Sequence, residues 1–221
     1  MHWSLLASLD DGEKRAVRAA ARSRTFVKGE TVFQEGDRAD AVHLVDTGHF
    51  AVMVSTPDGD LATLNVLGPG DFFGELSMLR EQVAAPRSAT IISLDASQTL
   101  VLTQAAFDRL RRAHPQVERL VVSLMADRIR RLSADLLRAR YAGVEERLCG
   151  SLLDLAEVFR DDRHPSAVIP LTQDQLADIV GCTRPSINQI LQELVAQGLV
   201  RIGRGEVTIL DAEALEHQAG R

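Results

Sequence analysis

The chain has 221 residues, of which 45% are apolar and 25% are charged, and its formal net charge is −6. No apolar run approaches the roughly 18 residues that span a bilayer, and the N-terminus turns acidic after a short apolar stretch, so we expect no membrane span, no signal peptide and a cytoplasmic protein. The acidic balance argues against a protein that coats nucleic acid by bulk electrostatics, so any DNA contact needs a local basic surface. Cys149 and Cys182 have neither metal-ligand nor disulfide spacing, and we expect buried thiols and no metal site.

The first half of the chain has the pattern of a small β-domain. The segment 5–21 has helical spacing and predicts a helix packed outside that domain. Short β-type runs then alternate with glycine turns as far as Thr103. These runs are TVFQ, AVHLVD, FAVMVST, LATLNVL, SATIISL and TLVLT. Short strands at this spacing predict an antiparallel barrel or jelly roll.

A long helix is predicted after Pro115, because no Gly or Pro interrupts the chain until about Arg140. Its apolar residues step by three and four alternately, as in the a/d seam of a heptad repeat. That pattern favours a parallel homodimer, but a helix packed once against its own barrel also needs an apolar face. The predicted seam consists of Val122, Met125, Ile129, Leu132, Leu136 and Ala139.

The last third predicts a winged helix-turn-helix. A short apolar helix ends near Val180, Gly181 permits a left-handed turn, and Thr183 is a good N-cap for a second helix with Pro185 in its first turn. The following segment LVRIGRGEVTIL alternates around a glycine turn, as a β-hairpin does. We therefore predict an α+β chain with a sensor barrel at 1–113, a dimerisation helix at 114–140 and a DNA-binding domain at 141–221.

Two segments resemble a known family. PGDFFGELSML with APRSATI is similar to the phosphate-binding cassette of cyclic-nucleotide-binding domains, and LTQDQLADIVGCTRPSINQILQEL resembles the helix-turn-helix of the CRP/FNR regulators. The resemblance covers nearly the whole chain. It implies a homodimeric, sequence-specific transcriptional regulator, not an enzyme, controlled by a small effector such as cAMP or another cyclic nucleotide. Operator DNA and RNA polymerase are the implied macromolecular partners, with no membrane partner and no covalent cofactor.

The chemistry of the cassette suits a cyclic nucleotide. Arg87 can make a charge-assisted contact with the phosphate, Ser88 and backbone N–H groups near Gly74 and Ala89 can complete an anion nest, and Glu75 can accept from the ribose 2′-hydroxyl. Alternatively, Glu75 and Arg87 form a structural ion pair. With the resemblance, the predicted effector site comprises Leu64, Leu67, Phe73, Gly74, Glu75, Leu76, Arg87, Ser88, Ala89, Arg128, Leu132 and Ser133.

Two departures from the family bear on the effector. The segment 76–86 between Glu75 and Arg87 is longer than is usual, so the pocket mouth is expected to differ. Leu132 and Ser133 align with a pair that is normally Thr then Ser, and loss of the threonine removes a hydrogen bond to the purine. Adenine specificity is therefore open, as is a regulator that needs no ligand or senses another effector.

Other sensor chemistries in the family depend on particular ligand residues. An iron–sulfur sensor would need a cysteine cluster ahead of the barrel, and the two cysteines lie elsewhere. A heme sensor would need an axial ligand such as His43, His49 or His114, although a lone histidine is more often an ordinary core or surface residue.

For DNA, the resemblance places base reading on Arg184, Pro185 and Gln189. Arginine suits guanine O6 and N7, and glutamine suits adenine N6 and N7. Wing arginines can contact phosphates. The predicted DNA-binding residues are Thr172, Gln173, Thr183, Arg184, Pro185, Ser186, Asn188, Gln189, Arg201 and Arg204. The rival interpretations are a purely structural three-helix element and a cyclic-nucleotide-binding module without DNA function; the winged helix argues against the second.

Overall fold

The structure is a computed structural model that describes residues 3–7, 9–57, 59, 61–77, 85–160 and 167–220. Its internal contacts divide the chain into two compact units, Met1–Arg131 and Leu132–Arg221. Helix α3, Pro115–Tyr141, runs through this division. The three-part domain division drawn from the sequence stays a prediction, and each unit is described by itself.

The first unit begins with two short helical segments instead of one long helix. A 3-10 helix spans Ser4–Leu6, and helix α1 spans Asp11–Ala20. A capping box starts α1: the Asp10 side chain accepts from the Glu13 N–H, and the Glu13 side chain accepts from the Asp10 N–H. The predicted continuous helix over 5–21 is therefore wrong in its first half, because the capped α-helix begins only at Asp11.

Two four-stranded antiparallel sheets follow, and they confirm the predicted antiparallel β-core. One sheet has the strand order β1-β8-β3-β6 and the other β2-β7-β4-β5. The strands are β1 Arg22–Phe26, β2 Thr31–Phe33, β3 Ala41–Thr47, β4 Phe50–Ser55, β5 Leu61–Leu67, β6 Phe72–Phe73, β7 Thr90–Ser93 and β8 Ser97–Thr103. An aromatic and aliphatic core, which includes Phe26, Val45, Phe50, Phe73 and Ile91, draws residues from both sheets.

A second apolar core joins the β-domain to its helices. Helix α2, Gln104–Ala113, is capped by the Thr103 side chain and contributes the fully buried Phe107. The first two turns of α3 add Val117 and Val121, and Trp3 closes the cluster from the N-terminal segment. The Trp3 indole N–H donates to the Val45 carbonyl at 2.9 Å. This core fixes the start of the long helix against the β-domain.

Farther along α3, the predicted heptad seam is largely exposed. Met125 packs partly against the second core. Val122 is 64% exposed and Ile129 is 65% exposed. Leu132, Leu136 and Ala139 are also exposed. Within the first unit, packing on the β-domain therefore does not account for the apolar side chains of Val122 and Ile129.

The second unit is a winged helix, as predicted. Its elements are α4 Val144–Val158, β9 Val168–Ile169, α5 Gln173–Val180, α6 Arg184–Ala196, β10 Val200–Gly203, β11 Glu206–Ile209 and α7 Ala212–Gln218. Gly181 has φ +70° after α5, and the Thr183 hydroxyl accepts from the Ser186 N–H to cap α6. The sheet order is β10-β11-β9, all antiparallel.

The two cysteines differ in burial. Cys149 is buried in α4, as expected, and burial raises its pKa to about 11. Cys182, in the turn between α5 and α6, is only half-buried, so the expectation of a buried thiol is wrong at this position. Among the helices that the structure describes, none has the length and apolarity to cross a membrane.

Candidate effector pocket and DNA-reading surface

A pocket in the first unit brings most of the predicted effector residues together. Leu67, Phe73, Gly74, Glu75, Leu76, Arg87, Ser88, Ala89 and Arg128 all line it. Leu64 is 55% exposed on β5 and is not part of the lining. Leu132 and Ser133 belong to the second unit. Phe33, Val52, Ser77 and Ile91 line the pocket as well and were not predicted.

Arg87 is the buried cation of this pocket, with a side chain that is 2% exposed. One guanidinium nitrogen, Nη2, donates to the Asp40 carboxylate at 3.0 Å, and Nη1 donates to the Gly74 carbonyl at 3.1 Å. The guanidinium carbon lies 4.0 Å from the centroid of the Phe33 ring, a cation–π contact. Its Nε is buried without a hydrogen-bond partner among the described residues. An anion acceptor in the pocket would meet a cation that still has donor capacity.

Glu75 is the buried acid, 2% exposed, and it pairs with Arg128 at 3.6 Å between Oε1 and Nη1. Burial raises the pKa of Glu75, and the charges of Arg128 and Arg87 act in the opposite direction. The alternative prediction, a structural ion pair formed directly between Glu75 and Arg87, is wrong because the two side chains pair with other residues. Each of the two groups instead has a different mate, Arg128 for the acid and Asp40 for the base.

Gly74 shapes the floor of the cassette. Its φ is +88°, and a Cβ there would lie 2.6 Å from Arg87 Nη1 and 2.9 Å from the Ala41 carbonyl oxygen. Only glycine fits this conformation and this space. Near the two ends of the unusually long segment 76–86, the Ser77 hydroxyl donates to the Pro86 carbonyl at 2.8 Å. Residues 78–84 lie outside the described residues, so the expectation about the pocket mouth stays a prediction.

His43 supports the aromatic wall of the pocket. Its ring stacks on Phe73 with centroids 4.9 Å apart and planes 9° from parallel, and its Nδ1 is 3.1 Å from the Thr99 hydroxyl. Burial, with help from the charges of Arg87 and Arg24, lowers the pKa of His43 to about 3. His49 and His114, the other histidines considered for heme, form close contacts with the carboxylates of Asp95 and Glu13 respectively.

The second unit presents the predicted DNA-reading residues on α6. Arg184, Pro185, Asn188 and Gln189 are exposed there. Two contacts connect this helix to the start of α5. Arg184 Nη1 lies 3.4 Å from an Asp174 carboxylate oxygen, and Gln173 Nε2 donates to Asn188 Oδ1 at 3.3 Å.

The predicted capping and wing residues are also placed. Thr172 caps α5 through a capping box with Gln175, and Ser186 lies within 2.9 Å of the Thr183 hydroxyl. Arg201 is exposed on β10, and Arg204 is exposed in the two-residue turn that joins β10 to β11. A positive φ of 76° at Gly205 makes that turn tight.

The comparisons with known proteins agree with this geometry. A family model described as a cyclic nucleotide-binding domain matches residues 23–114, and one described as a Crp-like helix-turn-helix domain matches residues 146–218. The chain is 30% identical over 196 residues to the cyclic AMP receptor protein of Thermus thermophilus, across 89% of this chain and 87% of that protein. The chain belongs to the CRP/FNR family of transcriptional regulators.

Two further relatives agree with this assignment. The CRP/FNR chain is 28% identical over 196 residues to a CRP-like cAMP-activated global transcriptional regulator of Mycobacterium tuberculosis, covering 88% of this chain and 86% of the relative. A solved CRP-family transcriptional regulator from Thermus thermophilus superposes with a TM-score of 0.73 at 26% identity, over 90% of this chain and 97% of that chain. The relatives are regulators, and the prediction that this protein is not an enzyme is confirmed.

Sequence reasoning missed the carboxylates that pair with Arg87 and Arg184 in this CRP/FNR regulator. Asp40 lies in the loop before β3, 47 residues from Arg87 along the chain, and no local pattern connects them. Asp174 had a signal, because an acidic residue in the first turn of a helix is common and favourable. Its pairing with a residue of the next helix needed the three-dimensional structure.

Proposed function

We propose that this regulator binds a cyclic nucleotide such as cAMP in the pocket of its first unit and, as a homodimer, binds operator DNA through α6 and the wing. The observation that carries the effector proposal is the buried pair of recognition groups, Arg87 and Glu75, in one pocket with a glycine floor. RNA polymerase is a further partner that a regulator of this type would contact. The family model and the name of the Mycobacterium tuberculosis relative both support a cyclic nucleotide.

The ligand chemistry follows from the two buried groups. A cyclic phosphate carries one negative charge. Arg87 would meet it through its terminal nitrogens and through Nε, which has no hydrogen-bond partner among the described residues. The ribose hydroxyl would donate to Glu75, whose carboxylate is paired with Arg128. The apolar wall of Val52, Phe73 and Ile91 would cover the remaining surface of the ligand.

The same groups give the effector a route to the long helix. Arg128 lies on α3, while Glu75 belongs to the cassette, and their ion pair connects the two elements. A ligand hydroxyl that donates a hydrogen bond to Glu75 would change the strength of the ion pair between Glu75 and Arg128. A ligand shifts a two-state equilibrium only by the difference between its interactions in the two states, and this pair is where such a difference would arise.

The exposed apolar face of α3 supports a homodimer. Val122, Ile129, Leu132 and Leu136 are each more than half exposed. Contiguous apolar surface on one helix face is costly in water, and a parallel copy of the helix would cover it through heptad packing. Two copies would present two α6 helices to successive major grooves about one helical turn apart, on an approximate palindrome.

Calorimetric titration with cyclic AMP and cyclic GMP tests the effector. Arg87→Ala should weaken binding by about 2 to 4 kcal/mol, because it removes a charge-assisted contact in a desolvated site. Arg112→Ala is the matched control, since Arg112 is exposed on α2 and is not among the pocket residues. If the wild-type protein bound neither nucleotide, a ligand-independent regulator or another effector would replace this proposal.

Selection of bound sequences from random duplexes tests the DNA proposal separately. Recovery of a palindromic sequence, with each half read by one subunit, is the expected result. The selection is run without nucleotide and with saturating cyclic AMP or cyclic GMP. Wild-type protein that enriched no sequence under any of these conditions would contradict sequence-specific recognition, whatever the nucleotide titration showed.

A further inference from the structure

The acid Asp174 occupies an unusual place on a surface proposed to bind DNA. It is the second residue of α5, it is exposed, and its carboxylate lies 3.4 Å from the guanidinium of Arg184, the first residue of α6. Its neighbour Gln173 contacts Asn188, one turn beyond Arg184 on the same face of α6. The start of α5 therefore lies directly beside the Arg184 face of the reading helix.

We propose that Asp174 is a specificity-determining residue of DNA recognition: it positions the Arg184 guanidinium toward a base and repels backbone phosphates from that arginine. This inference rests on the proposed DNA function of α6. Asp174 acts through Arg184 and is thus a positioning residue, distinct from the residues predicted to contact DNA.

The positioning follows from the geometry of arginine. A guanidinium has five N–H donors in a rigid plane, so one edge can bond a carboxylate while the other meets the O6 and N7 of guanine. Arg184 and Asp174 are each more than 60% exposed, so water screens their attraction and the pair adds little to stability. Its effect lies in the direction in which it holds the guanidinium. A long side chain that is held before DNA arrives loses less rotamer freedom on binding.

The repulsion follows from charge. Non-specific DNA binding is almost entirely attraction between phosphates and basic groups. On non-specific DNA, Arg184 would be drawn to a phosphate, and the carboxylate beside it opposes that contact. On the operator, the same guanidinium would instead meet a base edge, so the carboxylate opposes no phosphate contact of Arg184 there. The acid therefore weakens binding to wrong sequences more than binding to the operator, which is how an unfavourable element creates specificity.

The competing explanation is that Asp174 only stabilises the start of α5. An acidic residue in the first turn of a helix interacts favourably with the helix dipole. The Thr172 cap and its box with Gln175 hold this end independently. A purely structural role predicts a lower melting temperature for the Asp174→Asn variant and equal losses on all DNA.

The test uses the full-length protein and the duplex obtained by selection from random DNA, with a scrambled duplex for comparison. Asp174→Asn should bind the scrambled duplex about 3 to 10 times more tightly and lower the ratio of operator to scrambled affinity by a similar factor or more. Asp174→Glu, which keeps the charge, should leave the scrambled-duplex affinity near the wild-type value. Glu216→Gln removes the same charge from an exposed position on α7 and should leave the ratio unchanged.

The outcomes separate this inference from the proposal beneath it. If wild-type protein binds both duplexes alike, sequence-specific recognition itself fails. If the wild type discriminates and Asp174→Asn discriminates equally well, Asp174 has no role in specificity. A ratio that falls as far in Glu216→Gln as in Asp174→Asn would assign the effect to net charge and also overturn the inference. A lower ratio in Asp174→Asn, and not in the control, supports it.

Discussion

Gly74 offers the sharpest test of how the cassette holds its arginine. An alanine Cβ at this position would lie 2.6 Å from Arg87 Nη1 and 2.9 Å from the Ala41 carbonyl oxygen, at a φ of +88°. Gly36 is a matched control, because it has the same φ of +88° and a Cβ there would meet no heavy atom of the described residues within 4 Å. An L-residue in a left-handed conformation costs about 1 to 2 kcal/mol, and forcing an extra group into a packed site adds about 1 to 3 kcal/mol.

Gly36→Ala should therefore lose about 1 to 2 kcal/mol of unfolding free energy, and Gly74→Ala about 2 to 5 kcal/mol. Urea unfolding measures both losses. Gly74→Ala should also weaken cyclic nucleotide binding, because the Arg87 guanidinium must move, whereas Gly36→Ala should bind as the wild type does. Equal losses of stability in the two variants, or full nucleotide affinity in Gly74→Ala, would refute the reasoning from this close approach.

Three further predictions concern stability, assembly and DNA reading. His43 has a pKa of about 3 in the folded chain and 6.5 in the unfolded chain, so between these pH values only the unfolded state binds the proton. The free energy of unfolding should therefore fall as the pH drops below 6.5, by about 2 kcal/mol between pH 7 and pH 5. Urea unfolding measured at several pH values should show that His43→Gln removes this part of the pH dependence. Replacing Ile129 and Leu132 together by Glu should abolish the dimer seen by light scattering, because like charges would face each other in the seam. Ser123→Glu, at an exposed position outside the seam, should leave the dimer intact. If the double variant were still dimeric, the seam would not be the interface. Arg184→Ala should lose about 1 to 3 kcal/mol of binding free energy on the selected operator and relax the sequence preference at one base pair per half-site. Arg204→Ala should weaken binding to all duplexes alike and lower the slope of log affinity against log salt concentration by about one unit. If Arg184→Ala kept the full sequence preference, α6 would not be the reading helix.

Much of the fold could be predicted because its signals are local. Glycines in turns separate the longer strands, and a positive φ at Gly29, Gly36, Gly48, Gly59 and Gly70 shows why glycine occurs there. The helix-turn-helix carries its own punctuation, with Gly181 in the left-handed region and Thr183 as a side-chain cap. Where a backbone conformation strongly favours one residue type, that residue in the sequence predicts the conformation.

Elements that depend on distant partners were missed. Strand β1 has four exposed residues out of five, so it shows no alternation, and it is a strand because it pairs with β8 far along the chain. Strands β6 and β9 have two residues each, too few for any period to be visible. Pairing with a neighbour, not intrinsic preference, decides such short strands.

The candidate sites show the same division between residue and partner. Residue types suited to a phosphate, a ribose hydroxyl or a base were recognisable from the sequence, but their partners in the free chain were not. Arg87 is held by Asp40, Glu75 by Arg128 and Arg184 by Asp174. Any ligand that binds one of these groups must displace its ion-pair partner or share the group with that partner. The affinity of the ligand therefore depends on the difference between the new contact and the existing ion pair, and not on the new contact alone. Because a shared or displaced ion pair also alters the element that supplies the partner, the residues proposed to recognise a ligand are already connected to the elements proposed to respond to it.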